Sequence, residues 1–179
     1  MDIKYNNTAI GIMGRKMSGK TYLTKFLLKS ISPDKVYVLD TNGAYKGLGK
    51  RYSTDISFRG LDLFINKIRE IKGNKMVVFD DLDVYSPLYS NQFLSFNINA
   101  RNNGIGIIWN TKRPKRLGSV LIENADYLFL GRGLLNDDLE FLNDSFNIDL
   151  NMYNTLKEYE FLLYDTNTQM NTKIKAGEL

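Results

Sequence analysis

Short apolar runs alternate with amphipathic stretches along almost the whole chain. Ala9-Ile10-Gly11-Ile12-Met13, Lys35-Val36-Tyr37-Val38-Leu39-Asp40, Met76-Val77-Val78-Phe79, Ile105-Gly106-Ile107-Ile108-Trp109 and Tyr127-Leu128-Phe129-Leu130 are too short for helices and too uniformly apolar for strands with one wet face. They predict buried strands. Between them, Leu23, Phe26, Leu27 and Ile31 fall at helical spacing, with Thr24, Lys25 and Lys29 on the other face. Leu61, Phe64, Ile65, Ile68 and Ile71 mark another amphipathic helix, stopped by Gly73. The stretch from Thr41-Asn42-Gly43 to about Gly60 reads as a variable connection, and Pro87 to Ala100 reads as a helix despite poor periodicity. Asp137 to Phe146 and Met152 to Lys157 look helical, and Tyr159 to Tyr164 is a last strand, paired with Thr172-Lys173-Ile174. Apolar strands separated by helices predict an α/β fold, a mostly parallel central sheet with helices on both faces.

The first strand runs directly into Gly14-Arg15-Lys16-Met17-Ser18-Gly19-Lys20-Thr21, which spells GxxxxGK[ST]. The glycines let the backbone turn tightly, so that successive N–H groups face phosphate oxygens. Lys20 places a cation on the β- and γ-phosphates, and the Thr21 hydroxyl can ligate Mg²⁺. The helix that follows presents its positive end to the same anion. With this loop the α/β pattern reads as a RecA-like P-loop NTPase, one domain over residues 1–179. In open parallel sheets the ligand lies at the carboxyl ends of the strands. The ends of the first four strands carry the loop, Asp40, Asp80-Asp81 and Asn110-Thr111-Lys112-Arg113, so the polar residues that need explaining converge on one edge.

Asp80 and Asp81 close an apolar strand. In such a site the first carboxylate holds Mg²⁺ and the second accepts a proton from the water that attacks the γ-phosphate. Asp81 is the better placed by adjacency, with Asp83 as the alternative. Arg101, Arg113, Arg116 and Arg132 are candidates for stabilising charge on the transferred phosphoryl group. Lys112, Arg113, Lys115 and Arg116 form a basic cluster around Pro114, which can contact phosphate backbone or stand as a solvated loop. The single tryptophan and eleven tyrosines are scattered and read as packing rather than a base-stacking platform.

Composition narrows the chemistry. The chain has no cysteine and no histidine, so disulfides, thiolate sites and histidine acid–base chemistry are excluded. Carboxylates, lysine, arginine, hydroxyls and a bound metal remain. At 179 residues, 43% hydrophobic and 25% charged, this is an ordinary globular composition for one domain. A net charge of +4 mildly favours a polyanionic partner. No apolar run approaches the roughly 20 residues of a membrane span, and Met1 to Asn7 lacks the apolar core of a signal peptide.

Four stretches together resemble the FtsK–HerA superfamily of DNA-pumping ATPases, including packaging ATPases of icosahedral viruses with internal membranes. They are the phosphate loop, Val38-Leu39-Asp40-Thr41-Asn42-Gly43-Ala44-Tyr45, Val77-Val78-Phe79-Asp80-Asp81, and Arg101-Asn102-Asn103-Gly104 running through the fourth strand to Thr111-Lys112-Arg113-Pro114. The resemblance spans about residues 8–165. It implies an ATP- and Mg²⁺-dependent hydrolase that forms a ring, expected to be a hexamer, and moves double-stranded DNA through its centre. It also implies a minimal viral or mobile-element motor in the (host) cytoplasm, working with a capsid or portal component. Arg101 matches an arginine that acts across a subunit interface, and Thr111 with Lys112 sits where the family senses the γ-phosphate. Two departures stand out: Asp81 replaces the usual glutamate, and Lys112 the usual sensor glutamine. Three alternatives compete. They are a filamentous-phage assembly or secretion ATPase of the zonula-occludens-toxin type, a small-molecule phosphotransferase, and a nucleotide switch that barely hydrolyses.

Overall fold

The structure, a computed structural model, describes residues 7–85 and 91–178. Eight strands form one sheet in the order β3-β2-β4-β5-β1-β6-β7-β8. They are β1 (Ala9–Met13), β2 (Val36–Leu39), β3 (Lys50–Tyr52), β4 (Lys75–Phe79), β5 (Ile105–Thr111), β6 (Tyr127–Gly131), β7 (Glu160–Asp165) and β8 (Met170–Lys175). The first six are parallel, and β7 and β8 add antiparallel at one end. The helices are α1 (Lys20–Leu28), α2 (Phe58–Glu70), α3 (Asn91–Asn99), α4 (Pro114–Leu117), α5 (Ser119–Glu123), α6 (Asn136–Ser145) and α7 (Leu150–Asn154).

The five predicted buried strands are all present, and the pairing of the last strand with 172–174 is found in β7 and β8. Alternate strand residues serve two apolar layers. Ile10, Ile12, Val36, Val38, Met76 and Val78 pack with Leu23, Leu27 and Leu28 of α1. Tyr37, Leu39, Val77, Phe79, Ile107 and Trp109 pack with Leu61, Phe64, Ile65 and Ile68 of α2 and with Phe93 and Phe96 of α3. Burial on both faces is why these strands read as continuous apolar runs.

Three details were not legible in the pattern. Inside the variable connection, the three-residue β3 pairs with the edge of β2, and its Lys50 and Arg51 are exposed. A short charged edge strand carries no apolar signature. The strand predicted to end at Trp109 continues through Asn110 and Thr111, both fully buried. Helix α3 spans Asn91–Asn99, while the predicted start at Pro87 lies outside the described residues.

Candidate active site

Parallel strands β1, β2, β4 and β5 end at one edge, and the phosphate loop bridges β1 to α1 there. Gly14 has φ +152° and Gly19 φ +93°, and a Cβ on Gly19 would come within 2.8 Å of the Tyr159 ring. Both positions need glycine. Gly19 caps α1 without a side-chain hydrogen bond, so the first N–H groups of the helix are left for an anion. Arg15, Lys16 and Met17 form the exposed rim, and Met17, 80% exposed, is held at φ +67°. Ser18 is buried, and its Oγ has no partner among the described residues. Lys20 is buried; its Nζ donates to the carbonyls of Gly14 (2.7 Å) and Arg15 (3.1 Å). Burial pulls its pKa below the usual lysine value, although the charges of Asp81, Asp83 and Asp80 oppose this.

Across a cavity of about 400 Å³, Lys16, Lys20 and Thr21 face Asn42, Asp80, Asp81 and Lys112. Asp80 is buried and tightly held. Its Oδ1 accepts from Asn110 Nδ2 (3.1 Å) and Tyr45 OH (3.2 Å), and its Oδ2 from Asn42 Nδ2 (3.4 Å). Asn110 also donates to Tyr45 OH (2.8 Å) and accepts from Thr24 Oγ1 of α1 (3.1 Å), which ties the carboxylate to the phosphate-loop helix. Burial, with the charge of Asp81 adding to it, holds Asp80 above the usual carboxylate range despite these hydrogen bonds.

Asp81 follows at φ +48° and lines the cavity. Its Oδ2 accepts from Lys112 Nζ and Asn42 Nδ2, both at 2.8 Å. Burial alone would lower the Lys112 pKa, but the hydrogen bond and charge of Asp81, with Asp83 and Asp80 behind it, raise it. Asp83 does something different. It accepts from Thr111 Oγ1 and the Lys112 N–H, each at 3.0 Å, and so braces the end of β5. Asp40 organises the facing turn: it accepts from the N–H groups of Ala44 (2.9 Å) and Tyr45 (3.1 Å) and from Arg51 Nε (2.7 Å).

The donor set can be tested against Mg²⁺. Among the described residues no group of three or more His, Cys, Asp or Glu side chains is arranged to hold a metal. Mg²⁺ prefers one or two protein oxygens completed by substrate phosphates and water. Thr21 and Asp80, which both line the cavity, fit that pattern, and a cation between them would relieve the buried charge of Asp80.

The loop, Asp80, Asp81 and Thr111 are thus brought to one edge. Arg101 is not. It precedes β5 at the opposite edge, about 20 Å away by strand length. There it pairs with Asp126 (2.6 Å) and donates to the Asn124 carbonyl (3.1 Å). Within the basic cluster, Lys112 pairs with Asp81, and Arg113 with Asp138 (2.7 Å) and Asp137 (2.9 Å). Sequence reasoning missed Tyr45 and Thr24 as supports of Asp80, and it missed an aromatic contact. Trp109 is core as read, but Tyr22 and Tyr159, both about half exposed, meet beside the loop with ring centroids 5.8 Å apart.

No family model matches the sequence, and no curated protein matches it. Solved structures do match in fold. The genome-packaging NTPase B204 from Sulfolobus turreted icosahedral virus 2, in complex with AMPPCP, superposes with TM-score 0.78 at 22% identity, over 94% of this chain and 97% of that one. The pCW3 conjugation coupling protein TcpA, with ATPγS, gives 0.69 at 15% identity over 95% of this chain and 60% of that one. The cytoplasmic domain of the Thermomonospora curvata type VII secretion ATPase EccC gives 0.73 at 12% identity over 96% and 24%. The chain therefore has the P-loop NTPase fold of these ATPases, viral genome-packaging NTPases among them, as its motifs imply.

Proposed function

We propose that this chain is an ATP-hydrolysing DNA translocase that packages viral or mobile-element double-stranded DNA. The observation that carries the reading is the cavity in which Lys20 and Thr21, at an open helix N-terminus, face Asp80, Asp81 and Lys112. The triphosphate lies on the N–H groups of the loop Gly14 to Thr21, and Lys20 exchanges two loop carbonyls for phosphate oxygens. Mg²⁺, held by Thr21 and Asp80, would neutralise charge on the phosphates. Asn110, Tyr45 and Asn42 fix the carboxylate of Asp80 in place for that duty. Asp81 receives the proton of the water that attacks the γ-phosphorus, while the bond to the β–γ bridging oxygen breaks and ADP leaves. Asp81 lines the cavity, whereas Asp83 does not and is engaged by Thr111 and the Lys112 amide, which favours Asp81 as the acceptor. Thr111 acts as sensor through this brace.

Arg101, remote from its own site and half-exposed, suits action on a neighbouring subunit's nucleotide in a ring, expected to be a hexamer. The fold shared with a packaging NTPase and a conjugation coupling protein supports DNA as the cargo, with a capsid or portal component as partner. Among the described residues no helix is long and apolar enough to cross a membrane.

The test is the rate of phosphate release with and without duplex DNA. Wild type should be stimulated by DNA, and Lys20→Ala should be inactive under both conditions. Phosphate transfer to a nucleoside, or no response to DNA, would refute the motor. Arg101→Ala should bind ATP without turning it over. Mixing it with Lys20→Ala subunits should restore part of the activity, and failure to do so refutes the role in trans.

A further inference from the structure

We propose, building on the triphosphate site above, that Tyr22 and Tyr159 form the seat of the nucleobase, and that this seat selects by stacking, accepting adenine and guanine alike. Two hollows continue from the phosphate loop. One, about 230 Å³, is lined by Met17, Gly19, Lys20 and Thr21 together with both tyrosines. The next, about 400 Å³, is lined by the same tyrosines with Lys175 and Ala176. The first shares Met17, Lys20 and Thr21 with the phosphate cavity, so a nucleotide can run without a break from Asp80 and Asp81 to the rings.

The rings are placed deliberately. Tyr22 is 51% and Tyr159 45% exposed, an unusual waste of aromatic area for packing residues. Tyr159 is also held at φ +61°, a left-handed conformation that a bulky side chain rarely adopts and that costs on the order of 1 kcal/mol or more. Its carbonyl accepts the Ala176 N–H at 2.9 Å, which pins this strained backbone to the end of β8. The strain sets the ring over Gly19, the one loop residue without a side chain at that point. Of the five non-glycine residues with positive φ among the described residues, Met17 and Tyr159 line the inner hollow and Asp81 the phosphate cavity.

Base discrimination needs a hydrogen-bonding side chain aimed at the base edge. The lining of the outer hollow offers ring faces, a methyl group, two phenol hydroxyls that donate and accept and so suit either purine edge, and Lys175, whose ammonium pairs with Glu178 at 3.0 Å. Stacking, by contrast, works with any base and best with a large one.

Binding of Mg²⁺ complexes of ATP, GTP and CTP and of inorganic tripolyphosphate, measured by calorimetry, tests this. In wild type, ATP and GTP should bind within about fivefold of each other, and both about 5- to 100-fold tighter than tripolyphosphate. CTP should fall between. Tyr159→Gly relaxes the strained backbone, and Tyr22→Ala sits on an exposed helix face, so both should fold. Each should lose most of the purine advantage yet bind tripolyphosphate as wild type does, while Tyr22→Phe and Tyr159→Phe keep it. Equal wild-type affinity for ATP and tripolyphosphate overturns the seat alone, and a preference for ATP over GTP beyond about fiftyfold overturns its tolerance. If neither ATP nor tripolyphosphate binds, the seat and the hydrolase reading fall together.

Discussion

Replacing Lys112 should separate turnover from stability. Its ammonium lies 2.8 Å from Asp81, in an ion pair whose side chains are 37% and 12% exposed. A pair this open to water contributes roughly 0.2–1 kcal/mol. For a chain of this size that moves the thermal midpoint by no more than about 4 °C. The effect on chemistry is larger, because Lys112 lines the same cavity as Lys20 and Thr21 and can transfer its charge from Asp81 to the γ-phosphoryl oxygens. Losing one oriented donor in a transition state costs a factor of about 10²–10³. Lys112→Ala should therefore lower kcat at least about 100-fold. Lys112→Gln keeps a neutral donor, about half as strong as a charged one, and should lose only about tenfold. Phosphate release at saturating ATP and a thermal melt on the same samples measure both quantities. Wild-type turnover in both variants would refute the reasoning, as would a stability loss above about 2 kcal/mol, which would make Lys112 a structural residue.

Asp80→Asn should abolish turnover yet stabilise the fold in the absence of Mg²⁺. A carboxyl whose folded pKa is raised favours folding below its unfolded pKa and loses that contribution as pH rises through the folded value, so ionised Asp80 opposes folding at neutral pH. Urea melts should show the variant's advantage shrinking as pH falls and Asp80 protonates; a variant less stable than wild type at neutral pH would contradict this. Asp138, fully buried, accepts from Arg113 Nε (2.7 Å) and the Lys115 N–H (3.0 Å). Asp138→Ala should cost about 3 kcal/mol, the low end for a broken buried pair because Arg113 reaches solvent, and lower the thermal midpoint by about 6–12 °C. A shift under about 2 °C would show the pair to be unimportant.

Much of the site is legible in linear order. The phosphate loop is eight contiguous residues, and Asp80 and Asp81 stand at the end of an apolar run whose direction in a parallel sheet follows from helix crossovers. Asn110 and Thr111 do stand at the strand end, as its last two residues, yet they are fully buried. The polar pattern did not show this because their burial depends on partners far along the chain. Asn110 meets Thr24, Tyr45 and Asp80, and Thr111 meets Asp83. The meeting of two of the scattered tyrosines was hidden for the same reason, since Tyr22 and Tyr159 are neighbours only once β7 has been laid beside β6.

Local periodicity and contiguous spacing encode the buried strands, the apolar face of α2, and a loop that turns its amides toward phosphate; on α1 the predicted polar face failed at Thr24, which is fully buried. Tertiary packing alone selects which distant side chains share a cavity. It set Lys112 against Asp81, turned Asp83 to bracing β5, placed Arg101 at the far edge, and brought two tyrosines beside the loop. The physical reason is range. Strand and helix propensity is written in neighbours a few residues apart, whereas these contacts form only when strand order closes loops of 23 to 137 residues, and no local pattern encodes that order.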